Sequence, residues 1–251
     1  MEQKENMQNT GTLAALRRTV RALEGASRRP QPASSGAADL DAALPGGGVA
    51  PAGLVEVQPA SGFDASAGMG FGLAIAARAL ARRAGPLFWI APDFAAAEAG
   101  GAPYGPGLLS FGVAPERVLL VRAQNAAALT GALEDAARTS GVGAAVLVAP
   151  AGLDLDLTVC RRIQLATEAS GVTALAVRAA PAVPAAGALM RWRVAAAPSG
   201  DGLTRCWRAS LERARGASPA DFLLEWDHEA HHLRRAAGLG DRAPRPQRAA
   251  A

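Results

Sequence analysis

The stretch VEVQPASGFDASAGMGFGLAIAARAL, Val55–Leu80, has the outline of a phosphate-binding loop but lacks the groups that would run its chemistry. An apolar strand over Leu54–Val57 leads into a turn rich in Gly, Ala and Ser, and then into an amphipathic helix. A working loop reads G-x-x-x-x-G-K-[ST]. Its glycines let backbone N–H groups wrap the phosphates, its Lys meets the terminal phosphates and its hydroxyl holds magnesium. Gly62 is placed to begin such a loop, and Gly68 and Gly70 are present further on, but no Lys follows either. Ser61 and Ser66 offer hydroxyls without a preceding cation. Phosphoryl transfer rests mostly on positioned electrostatics, so losing that cation costs orders of magnitude in rate. The expectation is a degenerate nucleotide site with no catalytic residue and no cofactor. Residual nucleotide binding through loop N–H groups and the helix N-terminus stays open as an alternative.

Other residue types with chemical potential are less organised. The string Asp227-His228-Glu229-Ala230-His231-His232 contains H-E-x-x-H, the zinc pattern of helical metalloproteases. It directly follows an apolar run, FLLEWD, that reads as a strand, so an exposed polar turn is expected here and no metal. Cys160 lies beside Arg161 and Arg162, a setting that can lower a thiol pKa, yet its place on an amphipathic helix favours a buried core cysteine. Ser199 and Ser210 have no His/Asp setting. Arg191 and Arg193 share one strand face and Trp192 the other. The expectation is a solvated basic face with Trp192, Trp207 and Trp226 turned into the core; a surface for DNA or an acidic partner is the alternative.

The chain that must position these groups has 251 residues, half of them hydrophobic, enough for one medium α/β domain with tails. Its formal charge is +4, and Lys4 is the only lysine among 26 basic residues. Arg- and Ala-rich, Lys-poor composition is what GC-rich genomes encode, so charge alone does not establish a nucleic-acid partner. Two cysteines, far apart, give no disulfide framework. The polar start MEQKENMQNTGT has no apolar core of a signal peptide, and the apolar runs break well before the ~18 residues of a membrane span. A cytoplasmic protein is expected.

Along the chain, Leu13, Leu16, Val20 and Leu23 form one apolar stripe on a short helix, with Arg17, Arg18 and Arg21 off it. A helix so short is marginal alone, so the stripe docks on its own domain or on a partner. Composition makes residues 26–38 a linker, giving an N-terminal helix and linker over 1–38, a core over 39–239 and a disordered tail over 240–251. Apolar runs at 87–91, 118–122, 144–148 and 173–177 alternate with helical patterns near 67–83, 125–139 and 157–170. That grammar means a mostly parallel sheet covered on both faces, a three-layer α/β fold. Beyond residue 180 the runs 191–197, 205–213 and 222–227 are too closely spaced for crossover helices and form an antiparallel meander.

A parallel core entered through a phosphate-loop position and followed by a meander resembles the RecA arrangement. On that resemblance Asp93 falls where RecA carries its catalytic Glu, and Ala149 where the magnesium-holding Asp would close its strand. Arg213 and Arg215, followed by Pro219, resemble the basic pair with which RecA reaches a neighbour's nucleotide. The whole chain resembles the ImuA family more closely still. The stretches TLAALRRTVRALEG, ALPGGGVAPAGLVEV, FGVAPERVLLVRA, LDLTVCRRIQLATEASGVTALAVR, RWRVAAAPS and LERARGASPADFLLEWD carry that resemblance across nearly residues 12–240. It implies a non-catalytic RecA-like accessory protein of SOS mutagenesis and translesion DNA synthesis. The implied partners are ImuB (an inactive Y-family polymerase relative), an error-prone C-family polymerase and RecA, with DNA contact indirect. The stripe Leu13, Leu16, Val20, Leu23 and the pair Arg213, Arg215 are the candidate partner-binding residues. A weak partner-stimulated ATPase and a SulA-like cell-division inhibitor are the alternatives.

Overall fold

The computed structural model describes residues 31–93, 103–199 and 203–236. The stripe Leu13, Leu16, Val20, Leu23 and the tail from Gly240 lie outside the described residues. The chain divides into two units, Met1–Pro30 and Gln31–Ala251, and all the described residues belong to the second.

The second unit is built on one mixed sheet. In chain order its strands are β1 (Gly53–Pro59), β2 (Leu87–Pro92), β3 (Val118–Ala123), β4 (Ala144–Ala149), β5 (Thr173–Arg178), β6 (Met190–Ala197), β7 (Cys206–Ala214), β8 (Ala220–Asp227) and β9 (His232–Arg235). In space they run β3-β2-β4-β5-β1-β6-β7-β8-β9. The pairs from β3 to β6 are parallel, and those from β6 to β9 antiparallel. The helices are α1 (Ala38–Ala43), α2 (Ala65–Arg82), α3 (Gly105–Leu109), α4 (Ala126–Arg138) and α5 (Leu157–Ser170).

Two apolar layers flank the sheet, as the alternation within each strand requires. On one face Phe71 and Ile75 of α2 meet Val55, Val57, Val146, Val177 and Trp192. On the other, Leu129 and Leu133 of α4 and Ile163 of α5 meet Leu54, Ile90, Leu147 and Ala176. Helix α2 passes so close to β5 that a Cβ at Gly72 would stand 2.5 Å from Val177 Cγ2, so this position requires glycine. Local signals set the other helix ends. The Asn125 and Asp156 side chains accept from the N–H groups of Ala128 and Val159, capping α4 and α5, and Gly171 ends α5 at φ +79°.

Along the backbone the structure departs from the sequence expectation in two places. Residues 33–37, expected as linker, belong to the core: Ala33 bridges Ala50, Ser35 is buried, and the Ser35 carbonyl accepts from Leu233 N–H. Their small side chains, which read as linker composition, are what lets the segment lie flat between β9 and the stretch before β1. The meander holds four strands rather than three, because β9 has only four residues and one large apolar side chain, Leu233, too short a run to signal a strand. The tryptophans lie where expected. Trp192, Trp207 and Trp226 are buried, and the Phe71 ring meets Trp192 and Trp207 edge-on at 5.4 and 5.7 Å.

Phe71 thus bridges the parallel half of the sheet to the meander through α2. Phe71→Ala is expected to destabilise the fold by about 3–5 kcal/mol, measured by urea unfolding, because the cavity sits among rigid rings that cannot close in.

Candidate functional site

The connection from β1 to α2 is five residues long, Ala60–Asp64, and turns through a single 3-10 element at Gly62–Asp64. Its single glycine, Gly62, does not take a positive φ, and Gly68 and Gly70 already lie within α2. Gly68 packs beside the Pro59 backbone and Gly70 beside the Trp207 ring, so both serve helix packing. Asp64, which the sequence reading passed over, ends the connection at the N-cap position of α2. One of its carboxylate oxygens accepts from Ser61 Oγ at 2.6 Å and the other from Ala196 N–H at 2.9 Å. These two hydrogen bonds, Ser61 first, hold the Asp64 carboxyl below its ordinary range. A fixed negative charge therefore stands at the positive end of the α2 dipole, where a phosphate-binding loop presents its anion site.

The strands β1–β6 run the same way, so the connections leaving their C-terminal ends share one rim of the sheet, where ligands of such sheets bind. Asp93 stands there, exposed just past β2, its N–H donating to the Ala123 carbonyl. Ala149 ends β4 fully buried and offers no carboxylate. Around them the rim is apolar. Phe63 after β1 is fully exposed, and Leu157, Val183 and Leu203, following β4, β5 and β6, are also exposed. In the order β4-β5-β1-β6 the strands that these four residues follow are neighbours. Exposed Asp154 and Asp156 lie in the same β4 connection. Singly, such residues look like ordinary loop positions in a sequence; only the strand order shows that they follow neighbouring strands.

Below the rim lies a buried charged cluster that the sequence reading also missed. Glu56 of β1 is fully buried and accepts from Arg178 Nε and Arg191 Nε, both at 2.9 Å. Its oxygens also accept from Ala185 N–H at 2.9 and 3.1 Å, and from Gln58 Nε2 at 3.2 Å. Arg178 further donates to the Leu153 carbonyl at 2.6 Å, and Arg191 to the Ala185 carbonyl at 2.7 Å. Arg191, expected on a solvated face, is therefore a core residue, because the register sets it directly opposite Glu56. Arg193, two residues on, stays at the surface, paired with Glu212. A lone charged residue inside the apolar run LVEV was the one available signal.

The remaining candidates are scattered. Arg213 is exposed, and its Nη1 donates to the Ala186 carbonyl at 2.8 Å, bracing the loop before β6. Arg215 lies past the end of β7 and is exposed, with its N–H bonded to the Leu189 carbonyl. The residues around His228 form a turn, with Asp227 accepting from the N–H groups of Glu229 and Ala230, and His232 opens β9. His228 and His232 therefore share no helix face. Cys160 is fully buried, and burial pushes its thiol pKa up, away from a reactive thiolate. Among the described residues no helix is long and apolar enough to cross a membrane.

This strand order, with a loop-to-helix turn after β1 and a meander after β6, defines a RecA-like α/β protein. No family model matches the chain. Protein ImuA of Caulobacter vibrioides, from strain NA1000 / CB15N and from strain ATCC 19089 / CIP 103742 / CB 15, is 34% identical to it over 244 residues. The match covers 87% of this chain and 95% of each relative. The chain belongs to the ImuA family.

Two outcomes follow for this region. Glu56→Gln leaves two buried guanidiniums without a counter-charge and is expected to cost about 3–5 kcal/mol, read from urea unfolding. Because the folded-state pKa of Asp64 is depressed, its contribution is complete above the ordinary carboxylate range and is lost as pH falls through it toward the folded value. Thermal melts of wild type below about pH 4 should fall more steeply than those of Asp64→Asn.

Proposed function

We propose that this chain is a non-catalytic RecA-like accessory protein of damage-induced mutagenesis, an adaptor that works beside ImuB, RecA and an error-prone C-family polymerase. The observation that carries the reading is Asp64. The start of α2, where a phosphate-binding loop would present its anion site, carries a carboxylate already bonded to Ser61 and Ala196. Ala149 supports it from the opposite side of the same rim, because a buried methyl group cannot hold magnesium. Two absences at separate ends of a magnesium site are hard for one neighbouring group to repair. Membership of the ImuA family supports the mutagenesis role. Exposed Phe63, Leu157, Val183 and Leu203, in the connections that follow four neighbouring strands, support docking of a protein at this end of the sheet.

Asp93 is the residue on which an ATPase reading would turn, since it stands exposed at the end of β2, in position to orient a water. The two readings separate in one set of measurements. ATP hydrolysis with and without RecA, ImuB and single-stranded DNA is expected to stay at background for wild type and Asp93→Ala alike. A partner-stimulated rate abolished by Asp93→Ala would replace the adaptor reading with an enzyme. In parallel, Leu16→Glu combined with Leu23→Glu is expected to abolish co-purification with ImuB or RecA and leave the thermal melt of the core unchanged. Capture that survives this double change would remove the N-terminal stripe as the docking element.

A further inference from the structure

The two edges of the sheet are protected very differently. The β9 edge is four residues long, carries exposed Arg234 and Arg235, and bonds through Leu233 N–H to the Ser35 carbonyl of the segment lying along it. Shortness, charge and cover are the devices by which edge strands avoid pairing with other chains. Among the described residues the β3 edge has none of these over its first four residues. It is apolar from Val118 to Val121, Leu119 and Leu120 are 49% and 44% exposed, and among the described residues it pairs only with β2.

Which backbone groups it leaves open follows from one bond. Asp93 N–H donates to the Ala123 carbonyl at 2.9 Å, so the main-chain groups of Ala123, and by alternation those of Val121 and Leu119, face β2. The N–H and C=O groups of Val118, Leu120 and Arg122 therefore point outward along the free edge. Glu116 and Arg122, both exposed and without an ion pair among the described residues, stand at equal distances along the chain on either side of Leu119.

We propose that the β3 edge pairs antiparallel with β3 of a second copy of this chain, about a twofold axis passing beside Leu119. In that register Leu120 faces Val118 of the other copy, and the outward groups of both strands satisfy one another. Leu119 meets its own twin as a non-hydrogen-bonded pair, the closer of the two antiparallel kinds. Glu116, in the 3-10 turn Pro115–Arg117 that leads into β3, comes near Arg122 of the other copy on each side of the axis. A twofold contact demands this kind of self-complementarity, and the sequence around β3 has it in apolar run, charge and open backbone alike. The inference concerns a different surface from the rim and does not depend on the adaptor reading.

The register makes the test specific. Wild type is expected to sediment as a dimer. Leu119→Cys should give a disulfide-linked dimer under mild oxidation, since Cα atoms of non-hydrogen-bonded pairs lie within disulfide reach. Cys160 and Cys206 are buried, so wild type should give none. Leu120→Cys, whose twin would stand two residues away along the strand, should cross-link poorly. Glu116→Arg or Arg122→Glu alone should weaken the dimer about tenfold or more, because each brings like charges near one another twice, and the two together should restore it. A chain that sediments as a monomer at every concentration reached would overturn the proposal. So would failure of Leu119→Cys to cross-link while its thermal melt matches wild type.

Discussion

The fold turns on a single carboxylate. Glu56 is fully buried at the middle of β1, and the two guanidiniums that hold it come from the strands on either side, Arg178 from β5 and Arg191 from β6. A buried charge in that position is tolerable only if it is paired and its remaining lone pairs are filled, and here Ala185 N–H and Gln58 complete the set. The consequence is geometric. β6 is the strand at which the sheet changes from parallel to antiparallel, and the Glu56–Arg191 pair fixes its register against β1 at that change. The same carboxylate anchors the loop before β6 through Ala185, and Arg178 reaches the connection after β4 through Leu153.

The apolar half of the structure depends on that alignment. Once β6 is registered, Trp192 faces the opposite layer and meets Phe71 of α2, which also meets Trp207 of β7. Helix α2 can lie this deep because Gly72 lets it approach Val177. Its start is then tied to the far end of β6 by Asp64, which accepts from Ala196 N–H. Polar ties at Glu56 and Asp64 thus hold β6 near its beginning and past its middle, with the aromatic cluster between them. The turn between β1 and α2 thereby fastens α2 to β6.

Much of this was legible in the sequence. The strands β1–β8 and the helices α2, α4 and α5 follow from apolar runs and helical periodicity, because strands buried on both faces read as continuous apolar stretches. Asn125 and Asp156 cap α4 and α5 and Gly171 ends α5, each by local chemistry beside the helix it bounds. Short or small-residue elements were not legible. β9 has too few residues to show a period, and residues 33–37 look like linker because they are small and polar, the same properties that fit them to a tight groove.

By itself the sequence determined the layered α/β architecture, the absence of a phosphate Lys in the β1–α2 turn and the burial of the three meander tryptophans, since each depends on residue type and near spacing. The tertiary structure decided which charges are structural. Arg178 and Arg191 lie 122 and 135 positions from Glu56 in the chain, and only strand order and register bring them within hydrogen-bond reach. It also decided that Asp64 answers to β6, that Phe63, Leu157, Val183 and Leu203 follow neighbouring strands, and that among the described residues β3 rather than β9 is the open edge. A sequence encodes the face on which a side chain stands, because that is a matter of period. Which side chain stands opposite is a matter of register between distant strands, and the fold alone supplies it.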